Sequence, residues 1–237
     1  MNVDLFIRSY YKDLAWLSYC LRSVRKYGRG FRKVILVVPH SSAARLARSL
    51  LDHEVEPHFC EDFVDDYLGQ QVTKLYADQY TDADYICHLD SDCLIRRAIN
   101  PQELFVDGKI LIQMTPYLVL PQAIGWQRLS ERFMCRHVEY DFMRRQPFIF
   151  PRWLYPAVRA YAEQVQRRSL YNYILSQPPR GFSEYNAMGA VAYYLYFDKF
   201  VWRERTLPDP DESICRWFWS WEGISAATQE EIDKILS

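Results

Sequence analysis

Residues 85–95 read YICHLDSDCLI, and the fold of the chain is best inferred outward from this stretch. An apolar run with the character of a buried strand ends in Asp90-Ser91-Asp92. Two carboxylates at the end of a core strand repel each other and are costly to remove from water. A divalent cation between them would offset that cost, and oxygen ligands suit Mg²⁺ or Mn²⁺. The stretch therefore predicts a metal site that binds a diphosphate, with an ordinary turn or helix cap as the alternative.

The segments before this stretch alternate between strand and helix patterns. Residues 3–10, 33–40 and 55–59 have the apolar content of strands, whereas residues 13–27, 41–53 and 70–80 have helical spacing. Strands separated by helices imply a mostly parallel sheet with helices on its faces. Ligands bind such sheets at the carboxyl ends of the strands, which is where Asp90 and Asp92 fall.

The second half of the chain is less regular. We predict a strand at 109–117, an aromatic and arginine-rich excursion at 121–150, and helices at 152–167, 183–196 and 227–237. A second Asp-x-Asp, at Asp209 and Asp211, lies among prolines and predicts a plain loop. With no linker in the sequence, residues 1–237 are interpreted as one domain.

Three motifs occur in order between residues 68 and 189: the helix start LGQQVTKL, the DSD of the strand end, and GFSEYNAMG. Together they resemble the GT-A class of nucleotide-sugar-dependent glycosyltransferases, including small bacterial and phage-borne members. The resemblance implies an α/β, GT-A-like (Rossmann-related) fold in a single catalytic domain, with residues 1–100 as the nucleotide-sugar and metal half and residues 101–237 as the acceptor half. It also implies a metal-dependent, inverting transfer of a sugar from a nucleotide-diphosphate sugar, which we expect to be a UDP-sugar, to an acceptor hydroxyl.

The resemblance also implies roles for individual residues. Asp90 and Asp92 would hold the metal, directly or through water, and Glu184 would be the general base. The predicted donor contacts are Arg8, Ser9, Tyr10, Gln70, Gln71, Lys74 and Asp90. The predicted acceptor contacts are Arg144, Arg145, Tyr185, Asn186 and Trp219. Many relatives add a C-terminal histidine as a metal ligand, but all five histidines here lie in the first 137 residues, so Asp209, Asp211 or water would have to replace it.

The acceptor is inferred from charge. Residues 125–180 contain 10 arginines, no lysine and 4 acidic residues, and guanidinium groups fit phosphate oxygens well. Together with the phage-borne relatives, this favours a 5-hydroxymethylpyrimidine base in DNA as acceptor. A solvated helical face is the plainer interpretation of the arginines, and a surface glycan or lipid-linked sugar is the alternative acceptor. A sugar-nucleotide nucleotidyltransferase and a non-catalytic nucleotide-sugar or nucleic-acid binder are alternative functions.

Composition gives the cellular context. The six cysteines are scattered without a C-x-x-C pair, the N-terminus lacks a signal pattern, and no apolar stretch reaches the ~20 residues of a membrane span. We therefore expect a cytoplasmic protein of a bacterium or a phage-infected cell. Nothing in the sequence points to an obligate protein partner.

Overall fold

The computed structural model describes residues 1–46, 55–143, 146–205 and 214–237. The strands of these residues are β1 (Val3–Arg8), β2 (Val34–Pro39), β3 (Val55–Cys60), β4 (Tyr85–His88), β5 (Cys93–Ile95), β6 (Phe105–Val106), β7 (Lys109–Pro116), β8 (Tyr140–Asp141), β9 (Phe148–Pro151), β10 (Phe200–Glu204) and β11 (Cys215–Trp217). The helices are α1 (Leu14–Tyr27), α2 (Asp66–Leu75), α3 (Ile124–Met134), α4 (Leu154–Gln166), α5 (Leu170–Leu175), α6 (Glu184–Tyr196) and α7 (Ala226–Leu236).

A five-stranded central sheet has the order β3-β2-β1-β4-β9. Its first four strands are parallel, and β9 adds to the edge of β4 in the antiparallel direction. Strand β1 is buried along its whole length because it lies between two strands and under helices on both faces. Its one acidic residue, Asp4, is neutralised by Arg32, which donates to both carboxylate oxygens at 2.9 and 2.8 Å. The predicted mixed α/β fold with a mostly parallel sheet flanked by helices is confirmed.

Two smaller sheets complete the structure. One has the order β10-β7-β6, with β8 also paired to β7, and the other joins β11 to β5. The β11–β5 pair brings the C-terminal part of the chain next to the Asp90-Ser91-Asp92 turn. The main hydrophobic core takes residues from Val3 to Cys215, so both predicted halves of the chain share it.

Some boundaries differ from the prediction. Helix α2 begins at Asp66 because the Asp65 side chain accepts a hydrogen bond from the Leu68 amide, and it ends at Leu75. The predicted helix at 41–53 is observed only as a tight 3-10 segment, His40–Arg45, and residues 47–54 lie outside the described part. Ser183 caps α6 as predicted. Part of the 121–150 excursion is regular, since it contains α3 and β9.

The last glycine of the GFSEYNAMG motif has a packing role. A β-carbon at Gly189 in α6 would lie 2.3 Å from Cγ of the buried Phe142 ring. We expect Gly189→Ala to lower the melting temperature, because overpacking costs ~1–3 kcal/mol and outweighs the ~1 kcal/mol that alanine gains over glycine in a helix.

The matched control is Gly125→Ala in α3, where a β-carbon would meet nothing within 4 Å. This variant should melt at or above the temperature of the wild type. Equal melting temperatures for the two variants in a calorimetric scan would contradict the packing explanation.

No helix of the described residues is long and apolar enough to cross a membrane.

Candidate active site

A cleft of about 690 Å³ opens at the carboxyl ends of β1 and β4. The register of these parallel strands pairs Phe6 with His88, and Arg8 and Asp90, each two residues further along its own segment, both line the cleft. The cleft brings together eleven of the side chains predicted from the sequence: Arg8, Ser9, Tyr10, Gln70, Gln71, Lys74, Asp90, Asp92, Glu184, Tyr185 and Trp219. Their individual roles stay predictions, but they lie within reach of one bound molecule.

Asp90 and Asp92 lie in a tight turn rather than in a regular strand. The Cys93 amide donates to the Asp90 carbonyl at 2.9 Å, which closes a four-residue turn between β4 and β5. The C-terminal segment fixes the far side of the turn, because the Phe218 amide donates to the Asp92 carbonyl at 3.0 Å. The turn allows both carboxylates to line the same cleft.

A buried lysine stabilises the first carboxylate. The Lys74 ammonium group, on α2, lies 2.5 Å from Oδ1 of Asp90 and 2.7 Å from Oε1 of Glu184. Burial alone would lower the pKa of Lys74, but the two carboxylates outweigh it and raise that pKa. Lys74 is therefore a charged ammonium that bridges the end of β4 and the start of α6.

Asp90 has further partners on both oxygens. Tyr185 donates to Oδ1 at 2.9 Å, the Gln146 side chain donates to Oδ2, and the Asp90 amide donates back to Gln146 Oε1 at 2.8 Å. Burial opposes ionisation of Asp90, but Lys74 and these hydrogen bonds prevail and lower its pKa. Three donors use three of about four lone-pair positions on a carboxylate. Asp90 is an ionised anchor with little coordination capacity left.

Asp92 has fewer donors. Its Oδ2 accepts a hydrogen bond of 3.2 Å from the Ser220 amide, and its Oδ1 faces the weak Cys93 thiol donor at 3.9 Å. Burial, and then the negative charge of Asp90, raise its pKa from 3.8 to about 7. Of the two carboxylates, Asp92 has more lone pairs available to a cation.

The raised pKa of Asp92 predicts a pH-dependent stability. Between about pH 4 and 7 the folded state binds more protons than the unfolded state, so stability falls as pH rises through this window. We expect Asp92→Asn, which loses the charge but keeps an acceptor for Ser220, to melt higher than the wild type above pH 7 in the presence of a chelator. The two proteins should converge near pH 4. If the melting temperatures of the wild type and Asp92→Asn differed by the same amount at pH 5 and at pH 8, the raised pKa of Asp92 would be contradicted.

The charge balance suits a divalent cation. Asp90 and Glu184 contact the Lys74 ammonium, and Asp92 lines the same cleft two residues after Asp90, so this group has an excess of two negative charges when all three carboxylates are ionised. Such an excess is unfavourable in a buried site without a counter-ion. No group of three or more His, Cys, Asp or Glu converges on one point among the described residues, so a cation here would complete its shell with water and substrate oxygens. The residues present fit a partly held Mg²⁺ or Mn²⁺.

Glu184 is positioned from three sides. It is the first residue of α6, its carboxylate meets Lys74, and its amide donates to Gln71 Oε1 at 2.8 Å. Burial raises the pKa of Glu184, and the ion pair with Lys74 offsets this only in part. Glu184 lines the cleft, and its raised pKa makes it a stronger base than an exposed carboxylate. Its role as general base stays a prediction.

The other end of the cleft carries the predicted nucleoside contacts. Arg8 is buried and makes a bidentate ion pair with Asp66, one bond of which is 2.7 Å long. Burial, together with the charge of Asp66, raises the pKa of the nearby Asp13 to about 6. Tyr10 is half-buried beside them. This end therefore presents hydrogen-bond donors, acceptors and an aromatic ring in one place.

One predicted acceptor contact is corrected. Asn186 is fully buried, accepts a hydrogen bond of 2.7 Å from the Phe142 amide, and is not part of the cleft wall. One turn of helix has a buried and a cleft-facing side, and Asn186 lies on the buried side. Arg144, Arg145, Asp209 and Asp211 lie outside the described residues. His88 is a buried core residue as predicted, with burial lowering its pKa to about 3 and its Nε2 at 2.5 Å from the Tyr155 hydroxyl.

Several residues of the cleft have no counterpart in the sequence predictions. They are Lys12, Asp13, Asp66, Tyr67, Trp126, Met143 and Ser220, and Gln146 lies behind Asp90. Trp217 and Trp221 also line the cleft, and the sequence WFWSWEG predicts them on one face with Trp219, because an extended chain puts residues i, i+2 and i+4 on one side. From the sequence, that face is interpreted as a hydrophobic lid or core edge, with stacking on a sugar or a base as the alternative. The others come from distant segments and belong to no local motif.

Comparison with known proteins identifies the family. The family model for DUF6492, described as a family of unknown function, matches residues 3–231. The chain belongs to this family. A search of curated proteins found no match to this chain. The family assignment therefore gives no activity.

Solved structures show a distant similarity. Two of them are of the glycosyltransferase GlyE from Streptococcus pneumoniae TIGR4, one in the apo form, with 9% sequence identity and TM-scores of 0.43 and 0.44. The matched region covers 86% of this chain and 45% of GlyE, so this chain spans less than half of that protein's length. At these scores the similarity carries no conclusion about activity.

Proposed function

We propose that this protein is a metal-dependent glycosyltransferase that moves a sugar from a nucleotide-diphosphate sugar to an acceptor hydroxyl. The observation that carries the proposal is the trio of carboxylates Asp90, Asp92 and Glu184, the first and last of them ion-paired to Lys74, in a cleft at the carboxyl edge of a mostly parallel sheet. The trio supplies both a counter-charge for a divalent cation and a carboxylate base, and the cleft is large enough for a nucleotide sugar.

Asp92, assisted by the remaining lone pair of Asp90, would hold Mn²⁺ or Mg²⁺. A bound metal would supply Lewis-acid neutralisation of the diphosphate as it leaves. The chain's own contribution is to keep Asp90 ionised, through Lys74, Tyr185 and Gln146, next to the less constrained Asp92. These separate roles, an anchor and a metal ligand, would explain why Asp90 accepts several hydrogen bonds from the protein whereas Asp92 accepts few.

Lys74 and Glu184 would act on the substrates directly. An ammonium has three donors, and two of those on Lys74 already bind Asp90 and Glu184, so the third is available to a diphosphate oxygen. Glu184 would take the proton of the acceptor hydroxyl as it attacks the sugar. Arg8, Ser9 and Tyr10, with Asp66, would hold the nucleoside, which we propose is uridine.

The two other functions are separable by experiment. A nucleotidyltransferase normally has a glycine-rich phosphate loop at its start, whereas FIRSYYKDLAW, residues 6–16, has no glycine. A non-catalytic binder would hold a nucleotide sugar without consuming it. We propose to incubate the protein with a panel of nucleotide sugars, with and without Mn²⁺, and to follow the products by mass spectrometry. A transferase should release the free nucleoside diphosphate only with metal, whereas an intact donor under every condition would contradict the proposal.

DNA as acceptor rests on the arginine-rich block. Its exposed members among the described residues are Arg128, Arg132, Arg136, Arg152, Arg167, Arg168 and Arg180. Arg159 is instead bonded to Asp78 by two contacts of 2.7 Å. Of the described arginines in this block, only Arg180 lines the cleft.

Salt dependence tests the DNA hypothesis. If Arg144 and Arg145 bind phosphates, Arg144→Ala/Arg145→Ala should raise the acceptor KM and leave donor hydrolysis unchanged. The slope of log affinity against log salt should also fall by ~0.9 for each phosphate that is no longer neutralised. Arg159→Ala is the control for an arginine with a structural partner, and it should lower stability without altering the slope. Acceptor binding by the wild type that does not respond to salt would exclude a polyanionic acceptor.

A further inference from the structure

Three tryptophans form a ladder at the mouth of the cleft. Trp217, Trp219 and Trp221 lie at alternate positions, with successive ring centroids 4.6 Å apart and interplanar angles of 38° and 33°. Trp217 is half-buried against the core, whereas Trp219 is 42% and Trp221 60% exposed. All three line the cleft. Two neighbouring indole rings exposed to solvent form a contiguous apolar patch, and such patches are typical of surfaces that bind a ligand or a partner.

The ladder is attached directly to the proposed reaction centre. Its first ring is at the end of β11, which pairs with β5 immediately after the Asp90-Ser91-Asp92 turn. Between the rings, the Phe218 and Ser220 amides both donate to Asp92, at 3.0 Å to its carbonyl and 3.2 Å to its carboxylate. A molecule seated on the outer rings would therefore lie beside Asp92, the carboxylate that we propose binds the metal.

The charge of the cleft disfavours a polyanion at this position. Its described lining contains five carboxylates and four cationic side chains. Two of the cations, Arg8 and Lys74, are already paired with carboxylates of the same lining. Arg180 is the cation at the ladder, with its guanidinium carbon 4.9 Å from the Trp221 ring centroid. A duplex phosphate backbone would meet at least as much repulsion as attraction here.

The mouth of the cleft offers aromatic faces, polar groups that can hydrogen-bond to hydroxyls, and little net positive charge. These three properties suit a neutral sugar. The apolar C–H face of a pyranose packs on an indole ring, and its hydroxyls hydrogen-bond to guanidinium and carboxylate groups. We propose that the Trp217–Trp219–Trp221 ladder, with Arg180 beside Trp221, is the binding site for a neutral saccharide acceptor. The transfer to that saccharide rests on the proposed function, whereas the binding itself does not.

Binding can be measured without turnover. A panel of neutral oligosaccharides, built from glucose, galactose, mannose or N-acetylglucosamine, is titrated into the full chain and followed by calorimetry and tryptophan fluorescence. We expect at least one to bind, and we expect Trp221→Ala and Trp219→Ala each to weaken its binding by about fivefold, which corresponds to the ~1 kcal/mol of an aromatic stacking contact. Trp221→Phe, which keeps a ring, should retain most of the affinity.

Trp153→Ala is the matched control, because Trp153 is 44% exposed and does not line the cleft. It should bind the saccharide like the wild type. The proposal is overturned if no saccharide of the panel binds, if the ladder variants bind it as tightly as Trp153→Ala does, or if an oligonucleotide containing 5-hydroxymethylcytosine binds and the saccharides do not.

A parallel titration with UDP and Mn²⁺ separates this proposal from the proposed function. UDP binding without saccharide binding would overturn the ladder as an acceptor site and leave the donor site intact. Saccharide binding that depends on the ladder, without any nucleotide binding, would support the ladder and count against glycosyl transfer.

Discussion

Replacing Asp92 by asparagine is expected to reduce metal-dependent sugar transfer by about 10³-fold or more while the fold persists. Losing metal stabilisation of a leaving diphosphate removes several kcal/mol of transition-state energy, and each ~1.4 kcal/mol is a factor of ten in rate. Asparagine keeps an oxygen for the Ser220 amide, so the turn should keep its shape. The measurement is kcat at saturating donor over a range of Mn²⁺ concentrations.

Asp78→Asn is a suitable control, since Asp78 is the ion-pair partner of Arg159 and does not line the cleft. Its effect should appear in the melting temperature and not in the metal dependence. Near-normal turnover by Asp92→Asn at saturating metal would show that Asp92 is not a metal ligand.

Replacing Glu184 by glutamine is expected to lower transfer by ~10²–10⁴-fold while donor binding persists, as for the loss of a general base. Glutamine retains an oxygen that can accept from Lys74, and the bond from the residue 184 amide to Gln71 does not depend on the side chain. A carboxylate at a helix start contributes only ~0.3–1 kcal/mol to stability. The catalytic and the structural interpretations therefore differ by orders of magnitude in rate.

The comparison needs donor affinity and transfer rate on the same preparation. The catalytic interpretation expects unchanged donor affinity, a low kcat, and loss of the pH dependence that a titrating base gives to the wild type. A variant with full turnover and a lower melting temperature would make Glu184 a structural partner of Lys74 and nothing more.

The features that the sequence predicted are those governed by local patterns and by sheet topology. The buried run of β4 and the two aspartates that follow it were recognisable in eleven residues. The rule that parallel strands present ligands at their carboxyl ends then placed Arg8 and Asp90 at the same edge. Ser183 was recognisable as a helix cap because capping depends on the next three residues.

The features that the sequence did not predict depend on contacts between distant segments. Glu184 and Lys74 are 110 positions apart, and Ser220 and Asp92 are 128 apart. The resemblance to glycosyltransferases implied donor contacts for Gln70, Gln71 and Lys74, and the helical spacing put Gln70 and Lys74 on one face. In the structure Gln71 and Lys74 are buried and bonded to α6. Gln146 holds Asp90 from within a stretch that appeared irregular, because its partner is 56 residues away.

The most direct test of the proposed function is a calorimetric titration of nucleoside diphosphates, with UDP first, into the wild type and Asp92→Asn, each with and without Mn²⁺. We expect the wild type to bind UDP tightly only when Mn²⁺ is present, and Asp92→Asn to bind it weakly in both conditions. Binding by the wild type that is equally tight without metal, or binding that is unchanged by Asp92→Asn, would contradict a metal-dependent nucleotide-sugar site in this cleft.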